Sequence, residues 1–100
     1  MMMLGEKILA NKAKKMGMIY KSVESSKLQT IAWEAAEKLS KMPTKGLAYT
    51  KELLNRSMSN DIDTQMALEE EYQRKSGQTE DYAEGIKAFI EKRKPNFTGK

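Results

Sequence analysis

Residues 79–100 read TEDYAEGIKAFIEKRKPNFTGK, and this stretch decides the fold class. Thr79 carries the short oxygen-bearing side chain that caps a helix N-terminus. Glu80 and Asp81 place carboxylates in the first turn, where the helix dipole favours them. Tyr82, Ile86, Phe89 and Ile90 recur at helical spacing and make one apolar stripe. Lys92, Arg93 and Lys94 fill the last turn, where cations suit the negative end of the dipole, and Pro95 forbids continuation. The stretch predicts an amphipathic helix with a basic end, followed by a ragged tail over 96–100.

The same pattern extends backwards. Ile62, Met66, Leu68 and Tyr72 mark a helix that also carries Glu69-Glu70-Glu71; Asn60 or Asp61 caps it and Ser76-Gly77-Gln78 ends it. Before it, Pro43 suits the first position of a helix with two apolar faces, Leu47/Leu54/Met58 and Tyr49/Leu53, and the pattern breaks at 57–60. Ser26 with Gln29 is a capping-box pattern opening a helix to about Met42. Leu28, Ile31, Ala32, Ala35, Leu39 and Met42 share one stripe of that helix, and Trp33 lies outside it. Trp33 reads either as a second contact surface or as a half-buried edge residue.

The start of the chain is less regular. Asn11 can cap a short helix over Lys12–Met16, with Gly17 as its stop. Residues 18–23, MIYKSV, are the only strand candidate and have no evident partner. They either pair with chain outside this sequence or form an extended connector. Residues 1–5, MMMLG, read either as the end of a helix begun upstream or as an ordinary frayed start. The expected architecture is mainly α, with four sizeable helices after a short mixed N-terminal segment. The expected division is 1–24 and 25–100.

Composition agrees with helix: Ala, Leu, Lys, Glu and Met dominate, and Val23 is the sole valine. There is no Cys, which excludes disulfides and thiol chemistry, and no His, which removes the commonest general base and metal ligand. Ser25 and Ser26 therefore lack a histidine base for nucleophilic work. Consecutive helical residues point in different directions, so Glu69, Glu70 and Glu71 do not converge on a metal or a proton. No run is long enough to cross a bilayer, and no signal peptide is expected. The net charge of +4 is compatible with an anionic partner such as nucleic acid. Its basic residues are interleaved with acids, however, and few aromatics accompany them, which favours an ordinary charged surface. Three of the helices carry more apolar surface than a minimal free-standing bundle buries, and association follows from that excess.

Asp81-Tyr82, Glu84-Gly85, Ala88-Phe89, Lys92-Arg93 and Pro95 through Phe97 resemble the C-terminal signature of the crotonase superfamily of enoyl-CoA hydratases and isomerases. Met3-Leu4-Gly5, Ile8, Ala10 to Ala13, Gly17-Met18-Ile19, Pro43-Thr44 and Lys51 extend the resemblance over nearly the whole chain. A narrower likeness is carried by Asp63-Thr64-Gln65, Leu68-Glu69, Tyr72-Gln73-Arg74, Gly77 and the ending Phe97-Thr98-Gly99-Lys100. These residues are similar to the isomerases of phenylacetate catabolism that act on ring-epoxidised phenylacetyl-CoA. The resemblance implies the helical, trimerisation domain that closes such chains, with the β-spiral core absent and 1–24 a remnant of the junction.

That core holds the family's oxyanion hole and acid/base carboxylates, so no catalytic residue and no metal ligand carries over to this sequence. The carry-over is limited to Phe89, flanking the adenine pocket of CoA, and Lys92, near the nucleotide phosphates. The helical pattern itself makes Phe89 a core residue beside Tyr82 and Ile86. The resemblance further implies a coenzyme A thioester as substrate of the parent enzyme, with no tightly bound cofactor. It implies self-association as a trimer or hexamer, a cytoplasmic setting, no nucleic-acid or membrane partner, and a chain inactive alone. The alternative is a stand-alone helical protein–protein interaction module.

Overall fold

The computed structural model describes residue 5 and residues 7–100. The reading of 1–4 as a helix end lies outside the described residues. The described chain is helical: α1 (Ala10–Lys15), α2 (Leu28–Ser40), α3 (Thr44–Ser57), α4 (Ile62–Gly77) and α5 (Glu80–Ile90), with a 3-10 turn at Ser25–Lys27. Contacts group it into two compact units, residues 1–34 and 35–100.

In the first unit, α1 begins at Ala10, two residues earlier than expected. Asn11 lies inside it, and Leu9 precedes it without a side-chain cap. Gly17 does end it. At φ 74° it takes the left-handed conformation, and Met18 N–H donates to Ala13 O at 3.0 Å. No strand forms among the described residues. The stretch proposed for one, residues 18–23, passes through bends into chain without regular structure, because a strand without a partner leaves its backbone groups unpaired. Ser26 sits within the 3-10 turn rather than at a helix cap, and α2 follows from Leu28. Trp33 is 77% exposed, so its side chain is neither core nor half-buried edge in the chain by itself.

In the second unit, α2 ends at Ser40, two residues short of Met42, and Pro43 is the N-cap of α3 rather than its first residue. α3 packs on α4, and α4 on α5. Of the two apolar faces of α3, the one bearing Tyr49 meets α4. The rings of Tyr49 and Tyr72 stand edge to face with centroids 5.0 Å apart, and Lys75 Nζ lies 4.9 Å over Tyr72. The Leu54/Met58 side stays exposed. Gln65 pins the pair: its amide donates to Leu53 O at 3.3 Å and to Glu69 Oε1 at 3.0 Å, and its carbonyl accepts from Asn60 Nδ2 at 3.0 Å. Asp61 caps α4 by accepting from Thr64 N–H at 2.8 Å, which settles the choice between Asn60 and Asp61.

α5 starts where expected. Thr79 Oγ1 accepts from Tyr82 N–H at 3.1 Å and donates to Ser76 O at 2.8 Å, joining the cap of α5 to the end of α4. Its end is not where expected. The helix stops at Ile90, and Lys92 and Arg93 lie beyond it. Lys92 adopts φ 51°, its N–H donates to Phe89 O at 3.3 Å, and Arg93 N–H donates to Ala88 O at 3.0 Å. This paired hydrogen-bond closure usually places glycine at the left-handed position. It ends the helix before Pro95 is reached. Nor is the tail ragged: residues 95–100 fold back along α5.

Among the described residues, Ala88, at 1% exposure, is the one buried apolar residue. Tyr82, Ile86, Phe89 and Ile90 are all exposed, so the stripe on α5 does not face a core among the described residues.

Candidate functional site

An apolar depression in the second unit runs along α5. It has a volume of about 420 Å³ and is walled by Tyr82, Ile86 and Phe89 of α5, Phe97 of the tail, and Pro43 and Gly46 at the start of α3. Each wall has a local cause. The spacing of Tyr82, Ile86 and Phe89 puts three side chains on one face of a helix. The Phe97 ring lies beside Gly85: a Cβ built there would meet Phe97 Cε1 at 3.7 Å, an ordinary van der Waals contact.

The tail is held by two carboxylates one helical turn apart. Asp81 is 2% exposed. Its Oδ1 accepts from Thr98 N–H at 2.7 Å and its Oδ2 from Gly99 N–H at 2.9 Å, while its own N–H donates to Lys100 O at 3.1 Å. That last bond satisfies one of the free N–H groups at the start of α5. Glu84 accepts from both terminal guanidinium nitrogens of Arg93, at 2.6 and 2.8 Å, and from Asn96 N–H at 2.7 Å. The Arg93 hydrogen bonds, aided by the Asn96 N–H, hold the Glu84 carboxyl well down, at about 2. Arg93 also donates to Glu91 Oε2 at 2.6 Å, and Glu84 and Glu91 together push its guanidinium upward.

Phe89 and Lys92 occupy the same end of α5, joined through the Lys92 N–H to Phe89 O bond. Phe89 is 85% exposed and forms part of the depression, so the core reading of this residue fails for the chain by itself. Lys92 projects from the reversal after the helix, not from its last turn. Residues 79–97 also contain three groups that sequence pattern did not single out for the site: Gly85, Asp81 as a buried anchor, and Phe97 as a wall. Gly85 in mid-helix was the available signal, since glycine there is less favourable than alanine.

Glu69, Glu70 and Glu71 do not assemble a site. Glu71 pairs with Lys75 at 2.6 Å, which lowers the Glu71 carboxyl and raises the Lys75 ammonium; Glu69 accepts from Gln65. Among the described residues no group of acids is gathered as a metal site needs, and no helix is long and apolar enough to cross a membrane. The site therefore consists of an aromatic depression, a basic turn at one end and a pinned tail at the other.

This chain, with five helices among its described residues, matches a part of longer enzymes. It belongs to the enoyl-CoA hydratase/isomerase family, whose pattern matches residues 1–100. Among individual proteins it is similar to the 1,2-epoxyphenylacetyl-CoA isomerase of Escherichia coli, with 42% identity covering 98% of this chain and 37% of that protein. It is also similar to a probable enoyl-CoA hydratase of Rhodobacter capsulatus, with 38% identity covering 100% of this chain and 39% of that protein. Its fold matches the crystal structure of a putative enoyl-CoA hydratase from Streptomyces coelicolor with a TM-score of 0.91 and 32% identity, over 98% of this chain and 36% of that one. The enoyl-CoA hydratase structure from Geobacillus kaustophilus gives a TM-score of 0.90 at 27% identity, over 97% and 37%. The chain thus spans rather more than a third of the length of these relatives.

Proposed function

We propose that this chain is the C-terminal helical segment of an acyl-CoA isomerase or hydratase, acting on enoyl-CoA or ring-epoxide thioesters in the complete enzyme. It serves oligomerisation and closes the CoA site, and it is inactive alone. In the complete enzyme, backbone N–H donors would hold the enolate-like thioester oxygen and a carboxylate would move the proton, both outside this segment. In this reading 25–100 is the helical domain and 1–24 the junction to the core. Phe89 flanks the adenine of CoA and Lys92 meets the nucleotide phosphates.

The observation that carries the proposal is the exposure of Phe89 at 85%, on an apolar stripe beside a basic turn. A planar base can stack on such a ring while a lysine one turn on reaches its phosphates. The excess apolar surface on α2, α3 and α5 supports the oligomerisation role, with a trimer or hexamer as the expected assembly and the cytoplasm as the expected setting.

The test has two arms. The purified chain is assayed with crotonyl-CoA and with the ring epoxide of phenylacetyl-CoA, and turnover at the rate of a complete enzyme refutes the assignment of inactivity. The complete enzyme carrying Phe89→Ala or Lys92→Ala is compared with wild type for KM and kcat. A raised KM at unchanged kcat is the expected result, since the nucleotide end is bound alike in ground and transition states. An unchanged KM in both variants removes the assignment of these residues.

A second reading, a stand-alone helical interaction module without catalysis, rests on Trp33 at 77% exposure. It predicts a heterologous partner captured through Trp33 and lost on Trp33→Ala. Sedimentation of a strictly monomeric, compact chain with no partner speaks against it.

A further inference from the structure

The segment 95–100 has no helix or strand of its own, yet its position is defined from four directions. Asp81 receives two consecutive N–H groups, of Thr98 and Gly99, through its two carboxylate oxygens. The Asp81 N–H returns a bond to Lys100 O. Glu84, one turn along, takes the Asn96 N–H. Phe97 lays its ring beside Gly85 between these two anchors.

The far end is keyed sterically as well. Gly99 has φ 78°, a region that other L-residues enter at a cost, and a Cβ built there would lie 2.6 Å from Thr44 Oγ1 at the start of α3. Position 99 therefore favours glycine by its backbone conformation, and a larger residue there would also push the Thr44 hydroxyl aside. A tail without a binding role in the fold would need neither the left-handed turn nor the close approach.

We propose that residues 95–100 are a latched strap, pinned at Asp81 and keyed at Gly99, which opens as a unit and carries Phe97 into or out of the depression on α5. Closed, the strap supplies one aromatic wall and covers Gly85. Open, it removes that wall and uncovers Gly85 while α3, α4 and α5 stay packed. The anchors suit opening, because nearly all of the holding groups are backbone N–H donors that water can replace. The strap can thus detach at lower free energy than the helices unfold.

The test is native-state hydrogen exchange by NMR on the full chain, on Asp81→Asn and on Gly99→Ala. The first variant weakens the latch while keeping the size of the side chain. The second blocks the key and removes no charge. Both are expected to speed exchange of the position 98 and 99 amides about tenfold or more relative to wild type, as local opening does. Amides in the middle of α4, such as Tyr72, keep wild-type exchange, and the contact between the Phe97 ring and Gly85 is lost from the nuclear Overhauser spectrum. The proposal is overturned if either variant leaves the 98 and 99 amides unchanged. It is equally overturned if they accelerate only together with Tyr72, since the tail is then part of one cooperative unit, or if they are unprotected in wild type.

Discussion

Arg93 grips Glu84 with both of its terminal nitrogens, at 2.6 and 2.8 Å, across the reversal that ends α5. The pair ties the chain leaving the helix to a carboxylate two turns back, and the same carboxylate takes the Asn96 N–H. The folded state holds the Glu84 carboxyl at about 2 against an ordinary value of 4.5, so its contribution to stability is fully present above about pH 4.5 and is lost as pH falls through about 2. A carboxyl carbon titration of Glu84 is expected to show that low midpoint, with the Asn96 amide shift moving in step. In Arg93→Lys the two-pronged geometry is gone and the midpoint moves up towards the ordinary value. A midpoint near 4.5 in the wild-type chain contradicts the arrangement.

Thr79 does two jobs with one hydroxyl, accepting from Tyr82 N–H and donating to Ser76 O. Thr79→Ala removes both and is expected to cost about 1 kcal/mol, the usual value of a lost cap. Thr79→Ser keeps the oxygen and restores most of it. Urea unfolding followed by far-ultraviolet circular dichroism measures the difference, and an alanine variant as stable as wild type rules out a capping contribution.

How far the fold could be read follows from the range of each interaction. Thr79 and Asp61 were legible as caps because a cap lies within three residues of what it bonds. Helices α2 to α5 were legible from apolar spacing, each within one or two residues at its start. The closure at Lys92 was not, since a lysine carries no signal for a left-handed backbone. The tail escaped for another reason. Asp81 bonds main-chain N–H groups 17 and 18 residues away, and main-chain donors are the same at every position. Phe89 was legible as a stripe residue, but a stripe specifies an apolar neighbour without saying whether this chain provides it.

The outer face of α3 presents Leu54 and Met58, the latter 88% exposed. Covering such side chains is worth about 1.5–3 kcal/mol each, which makes them candidates for the driving force of association. Leu54→Lys with Met58→Lys is expected to shift the sedimenting species towards the 11.4 kDa single chain, without loss of helix content. An oligomer unaffected by the pair of substitutions places the interface elsewhere, with Trp33 the next face to alter.

Lys92 and Gly17 occupy the same place in the same helix-ending motif, at φ 51° and φ 74°. The left-handed conformation costs an ordinary residue about 1 kcal/mol and glycine almost nothing. Lys92→Gly should therefore stabilise the chain by about that amount, and Gly17→Ala should destabilise α1 by a similar amount, both read from thermal melts. The lysine variant also separates structure from function. If the ammonium of Lys92 meets the phosphates of CoA, Lys92→Gly in the complete enzyme raises the melting temperature while it raises KM for the thioester. A lysine kept only for the fold has no reason to sit where glycine is better. Higher stability with an unchanged KM would therefore remove the phosphate contact, and lower stability would contradict the strained backbone.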